Sequence, residues 1–192
     1  MDIAKIYRTV FDAAKRAAIV SPNVSFESAV SELCKNYEVD QAGLIDLFEN
    51  GEYWHSLQIL NIAAAERYCF FFLDSVNDSD EIDRFIRKIE KATQGDWQVS
   101  SSSIEQRDGQ WTLDIADNYS GASISLPEEG YLVGEEAVAN ILSYVESLSL
   151  DGQVLTRGAN SQDAYYLPRN LVSELSELNV LDAQGDPASE FY

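Results

Sequence analysis

The apolar residues of this chain change their spacing along its length, and that change limits what it can fold into. Over residues 2–19 they fall at Ile3, Ile6, Tyr7, Val10, Phe11 and Ala14. Three- and four-residue intervals of this kind line one side of a helix. Ser21-Pro22-Asn23 ends the run. Ser25 is placed to cap a second helix carrying Ala29, Val30, Leu33, Cys34 and Tyr37, and Asp40 a short third one through Leu44, Leu47 and Phe48 to Gly51. Trp54, Leu57, Leu60 and Ile62 to Ala65 make a fourth helical stretch between Tyr53 and Glu66.

The pattern then shifts. Tyr68 to Leu73 is short, aromatic and followed by a turn-rich stretch, which predicts a strand buried on both faces. Asp78 and Glu81 have capping-box spacing before a helix with Ile82, Phe85, Ile86 and Ile89 inward. Three strands are expected next, at Trp97–Gln106, Gln110–Ala116 and Ala122–Leu126, separated by Asp108-Gly109 and by Asn118 to Gly121. Trp111, Leu113 and Ile115 alternate with Thr112, Asp114 and Ala116, so one face is expected buried and the other wet. A helix from about Gly134 to Leu148, a strand Gln153–Arg157, a loop Gly158–Gln162 and a last helix with Pro168 in its first turn complete the pattern.

The expected fold class is α+β: N-terminal helices, then a mainly antiparallel meander packed with helices on one side. One domain is expected over 1–192, with a helical portion to about 66, mixed helix and strand over 67–180, and a fraying tail at 182–192.

Charge narrows the function classes. No lysine follows Lys91, and residues 96–192 hold seventeen Asp and Glu against Arg107, Arg157 and Arg169, a net charge of −14 within the chain total of −20. Such a field repels polyanions, so direct nucleic-acid binding is not expected. With eight Phe, ten Tyr and three Trp the chain has the aromatic content of a folded core, unlike disordered acidic tails. Met1-Asp2-Ile3-Ala4-Lys5 lacks the pattern of a signal peptide, and the six-residue run Tyr68–Leu73 is too short to cross a bilayer. The expected location is the cytoplasm, with no membrane partner.

Catalytic chemistry finds little to work with. His55 is the only histidine and sits among helical apolar residues, where it reads as a packed side chain. Cys34 and Cys69 both fall on apolar faces, which raises a thiol's pKa and quiets it. One His and two scattered Cys do not make a zinc site. Asp74, Asn77, Asp78, Asp80 and Asp83 form one acidic cluster, and Asp114, Asp117 and Asn118 a second, but neither follows the calcium-loop pattern. No glycine-rich phosphate loop is present. The reading is non-catalytic, with no metal and no cofactor.

What remains is acid beside aromatics on segments expected to be exposed. The candidate partner-binding residues are Asp114, Asp117, Tyr119, Glu128, Glu129, Tyr131, Glu146, Asp163 and Tyr165, with Glu135, Glu136 and Tyr166 close by in sequence. Tyrosine anchors supply interface energy and complementary charge speeds association. A solvated acidic surface with packed tyrosines is the plainer reading of any one of them. Together they fit a binding protein that neutralises a basic protein, most plausibly a nuclease-type toxin. Size, charge and missing catalytic groups resemble the role of bacterial toxin-immunity proteins, although no motif identifies a family. A DNA mimic that occupies DNA-binding proteins, and an enzyme whose carboxylate or metal site is assembled from distant segments, are the alternatives.

At −20 the fold works against its own charge. Melting temperature is expected to rise as NaCl is added in thermal scans. An unchanged melting temperature would mean that the acids are already locally compensated.

Overall fold

The computed structural model describes residues 3–50, 56–72, 79–126, 134–157 and 161–181. The α+β class is borne out: helices come first, two small antiparallel sheets follow, and helices pack on the sheets. Contacts divide the chain into two compact units, Met1–Tyr68 with Leu167–Tyr192, and Cys69–Tyr166. No helix among the described residues is long and apolar enough to cross a membrane.

The first unit is helical. It comprises α1 (Ile3–Arg16), α2 (Phe26–Asn36), α3 (Gln41–Asn50), 3-10 turns at Ser56–Ile59 and Ala65–Arg67 flanking the short α4 (Leu60–Ala63), and α7 (Arg169–Glu177) from the far end of the chain. Ile6, Val10, Phe11 and Ala14 bury the stripe expected on α1. Ser25 caps α2, its hydroxyl accepting from the Ser28 amide at 3.1 Å while Ser28 returns a bond to the Ser25 amide. Asp40 accepts from the Gly43 amide at 2.8 Å at the start of α3. Phe11 meets Phe26 edge to face with centroids 5.7 Å apart, and the Arg8 guanidinium lies 3.7 Å over the same Phe26 ring. Arg16 of α1 pairs with Glu174 of α7, whose Leu171 and Leu175 are fully buried. α7 joins the N-terminal helices by burying Leu171 and Leu175, a long-range contact that local periodicity does not record.

The second unit holds both sheets. β1 (Tyr68–Phe72), β6 (Ser161–Pro168) and β5 (Gly152–Arg157) form one, in the order β1-β6-β5. β2 (Val99–Arg107), β3 (Gln110–Asp117) and β4 (Ala122–Ser125) form the expected meander, with Ile104 opposite Leu113 and Leu113 opposite Ile124. α5 (Ser79–Ala92) and α6 (Gly134–Ser147) supply Ile82, Phe85, Ile86 and Ile89, and Val138, Ile141, Leu142 and Val145, to a core shared with Leu113, Ile115 and Ile124. Helix side chains also serve the meander's two outer strands. Arg87 and Glu90 of α5 bond the Val99 carbonyl and amide at 3.0 and 3.2 Å, and Asn140 of α6 bonds the Ser125 carbonyl at 3.2 Å. Backbone groups engaged in this way are withdrawn from pairing with other chains.

Three expectations need correction. β1 is an edge strand, not one buried on both faces: Phe70 is 38% exposed, and the Phe70 carbonyl accepts from the Lys88 ammonium at 3.0 Å. Trp111 lies on the core side of β3 but is 38% exposed, because it stands opposite Gln106 near the hairpin end while Leu113 and Ile115 take the interior. The loop expected up to Gln162 already belongs to β6 from Ser161; this strand is central in its sheet, so it buries Tyr165 and Tyr166. His55, Asp74, Asn77, Asp78, Glu128, Glu129 and Tyr131 lie outside the described residues.

The two meander turns differ in what they demand. Asp108 (φ 52°) and Gly109 (φ 86°) make the two-residue turn with both central residues left-handed. A Cβ on Gly109 would meet nothing within 4 Å, whereas on Gly121 (φ 66°) it would stand 2.7 Å from the Ile115 carbonyl oxygen. Gly109→Ala is therefore expected to cost about 1 kcal/mol in urea unfolding, and Gly121→Ala at least about 1 kcal/mol more. Equal losses would contradict the close approach at Gly121.

Candidate functional site

Of the sequence-nominated residues, Asp114, Asp117 and Tyr119 come together on β3 and the turn that follows it. They line a surface hollow of about 420 Å3 with Ser120, Gly121 and Ser123. The strand ends at Asp117, whose carboxylate turns back on the chain. It accepts from the Tyr119 and Gly121 amides, both at 2.9 Å, and so shapes the turn. It also accepts from the Trp97 indole at 2.8 Å and the Tyr144 hydroxyl at 2.5 Å, which ties the turn to the segment before β2 and to α6. Asn118 continues the stitch, donating to the Asp96 carbonyl at 2.8 Å and accepting from the Gln98 amide at 2.8 Å.

Asp96 is the second such carboxylate. It accepts from the Tyr119 hydroxyl at 2.8 Å, the Asp151 amide at 2.7 Å and the Tyr166 hydroxyl, which itself accepts from the Gly152 amide at 2.6 Å. Burial pulls both carboxyls up, but the hydrogen bonds outweigh it: Tyr166, Tyr119 and two backbone amides hold Asp96 below the ordinary aspartate range, and Tyr144, Trp97 and two amides do the same for Asp117. The donors respond in the opposite sense. Desolvation and then Asp117 push the Tyr144 hydroxyl up to about 12, and desolvation and then Asp96 raise Tyr166. All these donors are neutral. Both aspartates therefore stay charged near neutral pH, and among the described residues no basic side chain is bonded to them.

Asp114, one residue pair up the strand, is organised differently. The Ser123 hydroxyl and then the Arg107 guanidinium hold its carboxyl low. Arg107 also reaches Glu105 at 3.1 Å. Arg107 and Glu105 are exposed and Asp114 is half-buried at the surface, and pairs open to solvent in this way contribute little to stability.

The other nominated residues are dispersed. Tyr119 is 39% exposed, as expected, although its hydroxyl is committed to Asp96. Glu146 is exposed on α6, yet desolvation of its carboxyl raises its pKa. Asp163 is half-buried on β6. Tyr165 was expected on an exposed segment, but it is 1% exposed because the central strand β6 packs it inside. Sequence reasoning missed Asp96, Trp97 and Tyr144, and it named Tyr166 beside the candidates without its link to Asp96. Asp96 and Tyr166 lie 70 residues apart, so neither spacing nor periodicity signals their contact.

Among the described residues no group of three His, Cys, Asp or Glu is placed to hold a metal ion. Burial pushes the Cys69 thiol up to about 12, and desolvation also raises Cys34, so neither is a ready nucleophile. No protein family, curated protein or solved structure matches the chain.

Because Asp96 and Asp117 ionise more readily folded than unfolded, the stability they lend is complete above the unfolded aspartate value and is lost as pH falls through their lowered folded values. Tyr144→Phe is expected to cost about 1–3 kcal/mol at pH 7 and to flatten the acid limb of stability, measured by urea unfolding between pH 7 and 3. A loss of the same size at every pH would show that the tyrosine contributes packing alone.

Proposed function

We propose that this chain is a non-catalytic acidic protein of the cytoplasm that binds and neutralises a basic protein partner, acting as an immunity protein or inhibitor of a nuclease-type toxin. The observation that carries the reading is the way Asp96 and Asp117 are held. Each is held in its ionised form, fixed in position and bonded, among the described residues, by neutral donors that leave its charge uncancelled. A carboxylate added for solubility alone needs no such support.

The surrounding sequence adds to that field. Residues 92–156 contain eleven Asp and Glu and a single base, Arg107, a net charge of −10. On this reading, carboxylates held in this way take the places of nucleic-acid phosphates in the groove of a nuclease. Steering by the field speeds encounter with a cationic groove and disfavours anionic or neutral competitors.

The test is stopped-flow association with a purified basic nuclease that co-purifies with the chain, across a series of salt concentrations. The association rate is expected to fall by about tenfold or more from low to high salt, and the complex is expected to lose nuclease activity at one-to-one stoichiometry. An association rate indifferent to salt, or a nuclease that remains active when saturated, would overturn the reading.

A further inference from the structure

The β2-β3-β4 meander has a second face. Its inner side carries Leu113, Ile115 and Ile124 into the core beneath α5 and α6. The outer side presents Ser101, Ser103, Ala116, Ser123 and Ser125, all exposed, around the half-buried Thr112 and Asp114. Register brings them into one patch: Asp114 stands opposite Ser103 on β2 and opposite Ser123 on β4, and Thr112 opposite Ser125. Side chains this small leave a flat surface that a partner's backbone can approach closely. The carboxylates at the centre and edge of the patch, Asp114 and Glu105, share one cation, Arg107.

We infer that this outer face is where an arginine-bearing segment of the basic partner docks, and that Arg107 holds the place at Asp114 which a partner arginine takes over. The inference rests on the proposed binding of a basic protein and names the surface that does it. Charge complementarity selects the occupant, since the patch carries the Asp114 and Glu105 carboxylates with Arg107 as their shared cation. The guanidinium form follows from how Asp114 is already used. Both of its oxygens face the Arg107 fork, with Nη1 3.5 Å from Oδ1 and Nη2 bonded to Oδ2, while Ser123 fixes the carboxylate from the other side. Two-point pairing suits arginine better than the single ammonium of lysine. The Arg107 side chain is 52% exposed, and giving up an exposed pair for an equivalent one across an interface sacrifices little.

The probe is an oligo-arginine peptide, titrated by calorimetry in low-salt buffer against the full chain and its variants, with amide shifts followed by NMR. Ser103→Lys and Ser125→Lys are expected to weaken binding by about tenfold. Ser143→Lys, the same charge change at an exposed position of α6 on the opposite side of the sheet, is expected to change it by no more than about twofold. Arg107→Gln, which uncovers both carboxylates, is expected to tighten binding by about threefold or more and to leave the largest amide shifts on β2, β3 and β4. Circular dichroism confirms that each variant is folded. Equal weakening by all three lysine variants would overturn the outer face as the docking site while leaving the binding of basic partners intact. Weaker binding by a folded Arg107→Gln would overturn the place-holding role. No binding by the unmodified chain would overturn the proposed function together with this inference.

Discussion

Asp96 and Asp117 each take hydrogen bonds from tyrosine hydroxyls and backbone amides, and Asp117 also from an indole, and the connections of the second unit are arranged around these two carboxylates. Between them they join the segment entering β2, the β3–β4 turn, α6, the α6–β5 connection and β6. Carboxylates more often do such work opposite a lysine or arginine, and the ion pair then cancels the charge. Neutral donors stabilise the ionised form without cancelling it, so this part of the fold is cross-linked and anionic at once.

The distribution of bases reinforces the contrast. α5 carries Arg84, Arg87, Lys88 and Lys91, and there the charges meet locally: Arg87 lies 2.8 Å from Glu90 and 3.8 Å from Asp83, and Arg84 lies 3.9 Å from Glu81. Pairs one helical turn apart mainly support their own helix. Beyond Lys91 the arrangement changes, with Asp96 and Asp117 satisfied by neutral groups and Arg107 shared between Glu105 and Asp114. Acidic residues therefore serve as local helix support in one segment and as fixed, uncancelled charges that tie connections together in another.

Much of the architecture was legible because it depends on local patterns. The stripe on α1, the Ser25 and Asp40 caps, the Asp108-Gly109 turn and the alternation of Leu113 and Ile115 are each set within a few residues, and each is found where expected. What was not legible depends on partners far away in sequence. Tyr165 and Tyr166 read as exposed until β6 takes the centre of a sheet, Phe70 reads as buried until β1 proves to be an edge, and α7 joins the N-terminal helices by burying Leu171 and Leu175. For the candidate site, composition pointed to Asp114, Asp117 and Tyr119 and placed Tyr166 near other candidates, but nothing indicated Asp96 or Tyr144, or the bond between Tyr166 and Asp96. The acids that composition marks as surplus include two that the fold itself uses.

The account stands most directly on the charge state of those two groups. Carboxyl carbon shifts of Asp96 and Asp117, followed by NMR as the folded protein is acidified, report it residue by residue. Both are expected to titrate below the ordinary aspartate value of 3.8, with Asp96 and Asp117 still ionised when exposed aspartates have taken up their protons. Midpoints at or above that value would mean that burial outweighs the tyrosine, indole and amide donors, and that hydrogen bonds to ionised Asp96 and Asp117 are not what holds this region together.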